Sequence, residues 1–329
     1  FTRVLQAMVD NDQAVLEHAP LLDERERQHL LFDFNATQVD YNLDQTLHGM
    51  FEAQVARTPD AIALKAGEQQ LTYAELNTRA NQLAHHLLDR GVQPDSRVAI
   101  CVERGLDMVI GLYAILKAGA AYVPLDPAYP LERIAYMLED SAPAVVLIQD
   151  ATRALVGAVP VVDLDQPSWH RQSVENPGLA GVSAYVIYTS GSTGQPKGVI
   201  NDHGGVVNRL LWMQDEYGLT AQDRVLQKTP FSFDVSVWEF FWPLFTGACL
   251  VMARPGGHKD PAYLCEVIEA EHITTLHFVP SMLDVFLAHG DVSQAAGLVR
   301  VMCSGEALPG SLVRRFKQQL PGSDPVSYT

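Results

Sequence analysis

Apolar residues follow helical and strand-like spacings along the chain, and these spacings become regular from about residue 45. The stretch QTLHGMFEAQVART, stopped by Pro59, predicts a helix, and AIALKAGEQQLTY predicts a short hairpin that turns at Gly67. Thr72, with Glu75 three residues later, has the spacing of a capping box. The pair therefore predicts the start of a further helix, which we expect to end at Gly91.

Strands and helices then alternate through the rest of the sequence. The predicted strands are RVAICV, AVVLIQ, VSAYVIY, RVLQK, ACLVMA, TTLHFV and VRVMCS. The predicted helices are LDMVIGLYAILKAG, LERIAYMLEDS, GGVVNRLLWMQDEY, DVSVWEFFWPLF, PAYLCEVIEAEH, SMLDVFLAH and SLVRRFKQQL, whereas AYVPLDPAYP predicts a rigid loop. This alternation predicts an α/β fold of twisted, mainly parallel sheets flanked by helices in layers.

Ligands of such folds bind at the carboxyl ends of the strands. Four predicted strand ends carry unusual polar residues: the stretches YTSGSTG, TPFSFD, HFVPS and CSGEALP. The sequence therefore predicts one crevice to which all four contribute.

The composition is that of a globular protein, and it excludes several partners. Of 329 residues, 47% are hydrophobic and 19% are charged, and the net charge of −16 argues against nucleic acid or an anionic membrane as a partner. No apolar run approaches the ~20 residues that a membrane-spanning helix needs. The four cysteines lie far apart and no signal-peptide core is visible, so we expect a cytoplasmic location without zinc or disulfides.

The stretch YTSGSTGQPKGV, residues 188–199, gathers small and hydroxylated residues directly after an apolar strand. Its glycines would let the backbone approach a ligand closely, and its hydroxyls and its lysine would donate to anionic oxygens. The order of residues departs from the Walker pattern, which predicts a phosphate loop of another class. Glycine content alone leaves a plain surface turn open. The candidate phosphate-binding residues are Thr189, Ser190, Gly191, Ser192, Thr193, Gly194 and Lys197.

Four stretches occur in the order and at roughly the spacing of one known family. They are LTYAELN (71–77), LKAGAAYVPLDPAYP (116–130), YTSGSTGQPKGV (188–199) and FSFDVSVWEFFWPL (231–244). Together they resemble the N-terminal core of an adenylation domain of a nonribosomal peptide synthetase, an acyl-adenylate-forming enzyme. The resemblance runs from about residue 44 to 319 and implies the fold of that core for residues 45–329. Residues 1–44, charged and then rich in Asn and Asp, resemble the connector that follows a condensation domain.

The resemblance implies that ATP and an amino acid react to give an aminoacyl-AMP and pyrophosphate. The 189–197 loop would hold the β- and γ-phosphates of ATP, which acts with Mg²⁺, and Gly305, Glu306 and Ala307 would lie along the adenine and ribose. The implied partners are a carrier domain with its phosphopantetheine, a condensation domain and a small MbtH-like protein. The matching stretches assign neither a metal ligand nor a catalytic residue to this chain.

Asp234 lies between apolar residues in SFDVSVW, which leaves two interpretations. It could cap the following helix, or it could be a buried carboxylate that pairs with the ammonium of an amino acid. The resemblance implies the second role. The positions that match the substrate pocket of the family are Asp234, Val235, Trp238, His277, Met302 and Ser304.

Taken singly, His277 would be a core histidine and Ser304 a turn residue. Taken together, Trp238 would close a small pocket in which His277 and Ser304 supply hydrogen-bond partners. The combination resembles that of serine-activating domains. Threonine is the second candidate, because one methyl group in an apolar corner discriminates by only ~1–3 kcal/mol.

The end of the sequence departs from the family. The stretch SDPVSYT does not match the residues that come after LVRRFKQQLPG in relatives, and it predicts an addition or a splice. The segments of relatives that hold Mg²⁺ and the catalytic lysine have no match, so we expect these residues alone to be inactive or nearly so. Two other classes stay open, an acyl-CoA ligase and a non-catalytic nucleotide-binding fragment.

Overall fold

The computed structural model describes residues 2–10, 21–190 and 194–327, in two compact units. The shorter unit, Phe1–Asn42, contains helices α1 (Thr2–Asp10) and α2 (Glu24–Gln28), and a π-helical turn follows α2. Asp23 and Glu26 form a capping box at the start of α2, and none of the described helical residues of this unit is buried. The role of a connector stays a prediction for this unit.

The larger unit, Leu43–Thr329, contains the alternating strands and helices. Its described elements are α3 (Leu47–Arg57), β1 (Ile62–Ala66), β2 (Gln69–Thr72), α4 (Tyr73–Asp89), β3 (Arg97–Cys101), α5 (Leu106–Lys117), β4 (Ala121–Pro124), α6 (Leu131–Ser141), β5 (Val145–Ile148), β6 (Val161–Asp163), β7 (Ser183–Thr189), β8 (Lys197–Asp202), α7 (His203–Tyr217), β9 (Arg224–Gln227), α8 (Ser236–Thr246), β10 (Cys249–Met252), α9 (Pro261–Ala270), β11 (Thr275–Phe278), α10 (Pro280–His289), β12 (Arg300–Cys303), α11 (Gly310–Gln319) and β13 (Asp324–Ser327). Four short 3₁₀ helices lie between them.

The strands form a seven-stranded sheet, β13-β12-β11-β9-β10-β1-β2, and a six-stranded sheet, β6-β5-β3-β4-β7-β8. Strand pairs are parallel except β1 with β2 and β7 with β8. The main core contains α3, α4, α5 and α8 with one face of strands from both sheets. Two smaller cores place α9 to α11 against the seven-stranded sheet and α6 against the six-stranded one. This arrangement confirms the predicted layered α/β fold.

The predicted hairpin and capping box are confirmed. Strands β1 and β2 pair antiparallel on either side of Gly67, whose φ is +57°. The Thr72 hydroxyl accepts from the N–H of Glu75, and the Glu75 carboxylate accepts from the N–H of Thr72. No helix within the described ranges is long and apolar enough to cross a membrane.

Three segments differ from the sequence-based expectations. Residues 121–124, predicted as loop, form β4 between β3 and β7, because Ala-Tyr-Val is buried in the sheet and Pro124 comes only at the strand end. Residues 197–202, whose strand was not predicted, form the edge strand β8. Residues 324–327, predicted as an addition or a splice, form β13 in parallel register with β12.

Two buried histidines, His48 and His203, contact each other at 5.5 Å between ring centres. His48 Nε2 lies 3.0 Å from the carbonyl oxygen of Leu179, and His203 Nδ1 accepts from the N–H of Leu47. Their other ring nitrogens have no partner within the described ranges. Burial lowers the pKa of each imidazole to about 4, and the nearby charge of Lys117 adds to the effect at His48. Both rings are therefore neutral in the fold near pH 7.

We expect acid to destabilise the fold through these two rings. Their pKa values are lower in the folded than in the unfolded chain, so stability is lost as the pH falls below the usual value of 6.5. At pH 5 the expected loss is about 2 kcal/mol per histidine. Urea unfolding at pH 7 and pH 5 measures it. His48→Gln should reduce the pH dependence, whereas His289→Gln, at an exposed site, should not. Equal pH dependence in both variants would contradict the assignment.

Candidate active site

The predicted phosphate stretch forms the end of an antiparallel hairpin. β7 ends at Thr189 and β8 begins at Lys197, and the two residues are partners in the register. Ser190 and residues 194–196 connect the strands without regular structure, as predicted, whereas residues 188–189 and 197–199 belong to strands. Gly191, Ser192 and Thr193 lie outside the described residues. The hairpin therefore brings the hydroxyl of Thr189 and the ammonium of Lys197 to the two sides of the loop.

Gly198 has a packing role in this hairpin. A Cβ at this position would lie 3.0 Å from Cγ1 of Val186 and 3.2 Å from Cζ of Tyr188. Glycine therefore leaves room for the tyrosine ring, and the expectation that Gly198 also serves the approach to a ligand stays a prediction. Gly194, with φ at +85° and no atom within 4 Å of a Cβ, fits that expectation.

Helix α6 anchors the hairpin from the side. Tyr136 donates its hydroxyl hydrogen to the carbonyl oxygen of Pro196 (3.0 Å), and Tyr188 donates to Oδ2 of Asp140 (2.5 Å). Burial and the bond to the carboxylate raise the pKa of Tyr188 well above its ordinary value, which keeps this phenol a donor. The base of the loop is thus positioned by a rigid element.

Asp234 lies in the turn between β9 and α8. The N-cap of α8 is Val235, and no side chain caps this helix, so the interpretation of Asp234 as a cap is wrong. Its carboxylate is also exposed, whereas we expected burial. Residues 231–235 form turns before α8 begins, and the carboxylate lies at a cavity wall instead of in the core. An exposed carboxylate in a cavity is accessible to a cationic group of a ligand.

Two cavities meet at Asp234. One of about 260 Å³ also contains Val235 and Trp238, as predicted for the substrate pocket. The other, of about 420 Å³, is called the shared cavity below; it brings Asp234 together with Thr189 and Ser190. Tyr185 lines both, and burial with the nearby Asp234 charge raises the pKa of its phenol to about 12.

The shared cavity contains two residues for which the sequence predicted no role, Tyr129 and Arg133. Tyr129 is the penultimate residue of a stretch that carries the family resemblance, and Arg133 comes three residues after that stretch. A tyrosine and an arginine beside a proline-rich segment were the only signal, because Arg133 lies on α6 and meets Tyr129 at the cavity only in the folded chain.

The buried residues His277, on β11, Met302, on β12, and Ser304, directly after β12, line neither cavity at Asp234. His277 Nε2 lies 2.8 Å from Oγ of Ser304, so the two predicted substrate partners bond to each other. Met302 is the register partner of His277. Their contact with a substrate stays a prediction.

A chain of hydrogen bonds runs from His277 into the core. The Thr229 hydroxyl lies 3.4 Å from His277 Nδ1 and donates to Oε1 of Glu239 (2.7 Å). Burial raises the pKa of Glu239 to about 7, while Lys228 and Arg104 favour its ionised form. Thr229 thus links the carboxyl group of Glu239 to the imidazole of His277. Burial and the Lys228 charge lower the pKa of His277 to about 3.

Gly305, Glu306 and Ala307 follow β12, in a turn where Gly305 has φ at +85°. Glu306 accepts from the N–H and the hydroxyl of Ser281, and with Ala307 it lines a separate cavity of about 500 Å³. The structure therefore does not bring them into the shared cavity, and their contact with adenine and ribose stays a prediction.

Among the described residues, the carboxylates of Asp150, Asp163 and Asp165 lie within 4.8 Å of one another at the surface.

Comparison with known proteins decides the family. A sequence profile described as "AMP-binding enzyme" matches residues 51–328. The chain belongs to this family. The match includes β13, which agrees with the place of that strand in the sheet.

This AMP-binding enzyme is similar to multimodular peptide synthetases. It is 46% identical over 320 residues to tyrocidine synthase 3 of Brevibacillus parabrevis, covering 96% of the chain and 5% of that protein. It is 45% identical over 330 residues to phosphinothricin tripeptide synthetase PhsB of Streptomyces viridochromogenes, covering 97% of the chain and 28% of that protein. The chain thus spans a small part of these relatives.

A solved structure shows the same fold. The nonribosomal peptide synthetase FmoA3, in a form bound to alpha-methyl-L-serine-AMP, superposes with a TM-score of 0.87 at 30% identity, covering 99% of this chain and 38% of that chain. A form of FmoA3 bound to AMPPNP gives the same TM-score and identity. The predicted resemblance to the N-terminal core of an adenylation domain is confirmed.

The hydrogen-bond chain at His277 makes a prediction for the stability of this AMP-binding enzyme. Thr229→Val should lower the free energy of unfolding by about 1–3 kcal/mol, because Glu239 Oε1 and His277 Nδ1 lose their shared partner in the core. Thr229→Ser keeps the hydroxyl and is the matched control. Urea unfolding at pH 7 measures both, and a loss in Thr229→Ser without one in Thr229→Val would show that the methyl group, not the hydroxyl, stabilises the site.

Proposed function

We propose that this AMP-binding enzyme activates an amino acid with ATP, giving an aminoacyl-AMP and pyrophosphate. The observation that carries the proposal is the shared cavity, in which the Asp234 carboxylate lies with Thr189 and Ser190 at the base of the phosphate loop. One space can thus hold the ammonium of an amino acid near the phosphates of ATP. The structure of FmoA3 with AMPPNP supports ATP as the nucleotide.

The chemistry asked of the described residues is positioning and neutralisation of charge. The amino-acid carboxylate attacks the α-phosphorus of ATP and pyrophosphate leaves, so the protein needs no nucleophile of its own. Asp234 orients the substrate through its ammonium, and Lys197 with the hydroxyls of Thr189 and Ser190 holds phosphate oxygens. We propose that ATP binds as its Mg²⁺ complex.

We further propose L-serine as the amino acid, with threonine second. Trp238 lines the smaller cavity, and its indole N–H is buried and has no partner within the described ranges. His277 Nε2 lies 2.8 Å from the hydroxyl of Ser304, and we propose that it bonds a substrate hydroxyl in place of Ser304. The binding of alpha-methyl-L-serine-AMP by FmoA3 is a further support.

The proposed destination of the product is the phosphopantetheine of a carrier domain within a nonribosomal peptide synthetase. A condensation domain and an MbtH-like protein complete the proposed partners, and a cytoplasmic location fits them. The multimodular relatives support the carrier domain and the condensation domain as partners. Thioester formation on a carrier, compared with coenzyme A, separates this proposal from an acyl-CoA ligase.

Lys197→Ala tests the assignment of the phosphate loop. In the natural protein that carries this chain, amino-acid-dependent ATP–pyrophosphate exchange should show an ATP KM that is about 10–100-fold higher, since a charge-assisted bond contributes ~1.5–3 kcal/mol. The order of preference among amino acids should stay the same. Lys259→Ala, at an exposed site in a short 3₁₀ helix, is the control. An unchanged ATP KM for Lys197→Ala would contradict the assignment.

A further inference from the structure

Arg133 lies in the shared cavity with Thr189, Ser190 and Asp234. Its guanidinium carbon is 3.9 Å from the centre of the Tyr129 ring. Tyr129 in turn donates its hydroxyl hydrogen to Oγ of Ser232 (2.9 Å), two residues before Asp234. The guanidinium is therefore stacked on a ring that is itself fixed, and such stacking preorganises an arginine for binding.

The guanidinium of Arg133 lacks hydrogen-bond acceptors and a carboxylate partner among the described residues. Its Nε is buried and has no hydrogen-bond partner within residues 2–10, 21–190 and 194–327. No ion pair between residues of these ranges includes Arg133. A buried donor without a partner costs about 1–3 kcal/mol, and more when it is charged. The cost is recovered if a ligand in the cavity supplies an anionic oxygen.

We propose that Arg133 is a phosphate-binding residue of this cavity. The planar guanidinium, with parallel N–H groups, matches a phosphate better than a single point charge does. Thr189 and Ser190 add neutral donors on the same wall, whereas Asp234 would repel the anion and so keeps the ammonium site apart from it. This inference rests on the proposed function.

The phosphate could belong to either of two ligands. One is the triphosphate of ATP, whose loop begins at Thr189, and the other is the phosphodiester of a phosphopantetheine arm that enters after activation. A third anion, the amino-acid carboxylate, is the nucleophile, and a bond to arginine would draw electron density from it. We therefore expect a change at Arg133 to alter the KM for ATP or for the carrier domain, and not the affinity for the amino acid.

The variants are Arg133→Gln, which removes the charge, and Arg133→Lys, which keeps it without the planar fork. Arg153→Gln removes an exposed arginine of another helix and is the control. In the natural protein that carries this chain, the KM for ATP and for serine are measured by exchange, and the KM for the carrier by thioester formation. Thermal unfolding shows whether each variant is folded.

We expect Arg133→Gln to raise the KM for ATP or for the carrier by about 10–100-fold with kcat nearly unchanged. Arg133→Lys should raise the same KM by a smaller factor, and Arg153→Gln should not raise it. A rise for ATP assigns the triphosphate, and a rise for the carrier alone assigns the phosphopantetheine arm. Unchanged values for both, or a rise confined to serine, would overturn the inference.

Two further measurements keep the inference separate from its premises. Should Arg133→Gln not fold, Arg133→Lys carries the test, and a folded lysine variant with unaltered KM values for ATP and the carrier overturns the inference. Should the unaltered protein show no amino-acid-dependent exchange, the proposed function fails, and calorimetric titration of the unaltered protein and Arg133→Lys with ATP tests Arg133. Equal ATP affinity of the two proteins in that titration would count against a role of Arg133 in binding the triphosphate.

Discussion

Asp234→Ala is expected to abolish most of the amino-acid-dependent ATP–pyrophosphate exchange. The carboxylate faces two cavities and provides the negative charge with which the substrate ammonium would pair. Removal of one partner from a charge pair that the bound substrate buries costs about 2–5 kcal/mol, which corresponds to a fall in kcat/KM of about 30–5,000-fold. The ATP KM should change little, because the phosphates are held by other residues.

The isosteric Asp234→Asn separates charge from shape in this test. It keeps the volume of the side chain and should lose nearly as much activity as Asp234→Ala, since the ammonium then meets a neutral amide. Glu132→Gln, which removes an exposed carboxylate from α6, should behave like the unaltered protein. Retained exchange with serine in both Asp234 variants would show that the ammonium is held elsewhere.

His277→Ala is expected to narrow the preference for serine over alanine. A site built around a substrate hydroxyl rejects the analogue that lacks it by up to about 10⁴-fold, because buried polar groups are then unpaired. The loss of Nε2 should lower kcat/KM for serine by about 10–100-fold and leave the value for alanine nearly unchanged. Exchange with each amino acid measures the ratio.

Ser304→Ala is the milder companion to this variant, because it removes only the hydroxyl that bonds His277. His277 is 1% exposed, so thermal unfolding must accompany the kinetics. An equal fall for serine and alanine in a folded His277→Ala would show that the histidine acts on stability and not on substrate choice.

The periodicity of apolar residues predicted the layered fold, whereas strands held by distant partners were missed. The buried Leu76, Leu83 and Leu87 of α4 repeat with helical spacing, and a capping box starts the helix, so local rules suffice there. β4 was predicted as loop because the prolines of AYVPLDPAYP dominate the local pattern, although pairing with β3 and β7 makes residues 121–124 a strand. β8 was missed because it is a largely exposed edge strand, so its sequence contains no apolar run that would predict its pairing with β7.

The site was predicted in part for the same reason. Asp234 was found because a carboxylate among apolar residues is unusual, but its exposure depends on a bend that no local pattern encodes. The two hydrogen bonds that link Glu239, Thr229 and His277 join residues up to 48 positions apart in the sequence. Arg133 reaches the shared cavity only through the packing of α6 and the stack on Tyr129.

The most direct test of the account is ATP–pyrophosphate exchange by the natural protein that carries this chain, with serine, alanine and 3-hydroxypropionate compared at equal concentration. 3-Hydroxypropionate is serine without its ammonium, and alanine is serine without its hydroxyl. Since Asp234 is assigned to the ammonium and His277 to the hydroxyl, we predict strong exchange with serine, weak exchange with alanine and none with 3-hydroxypropionate. Exchange with 3-hydroxypropionate equal to that with serine, or no exchange with any amino acid, would contradict the account.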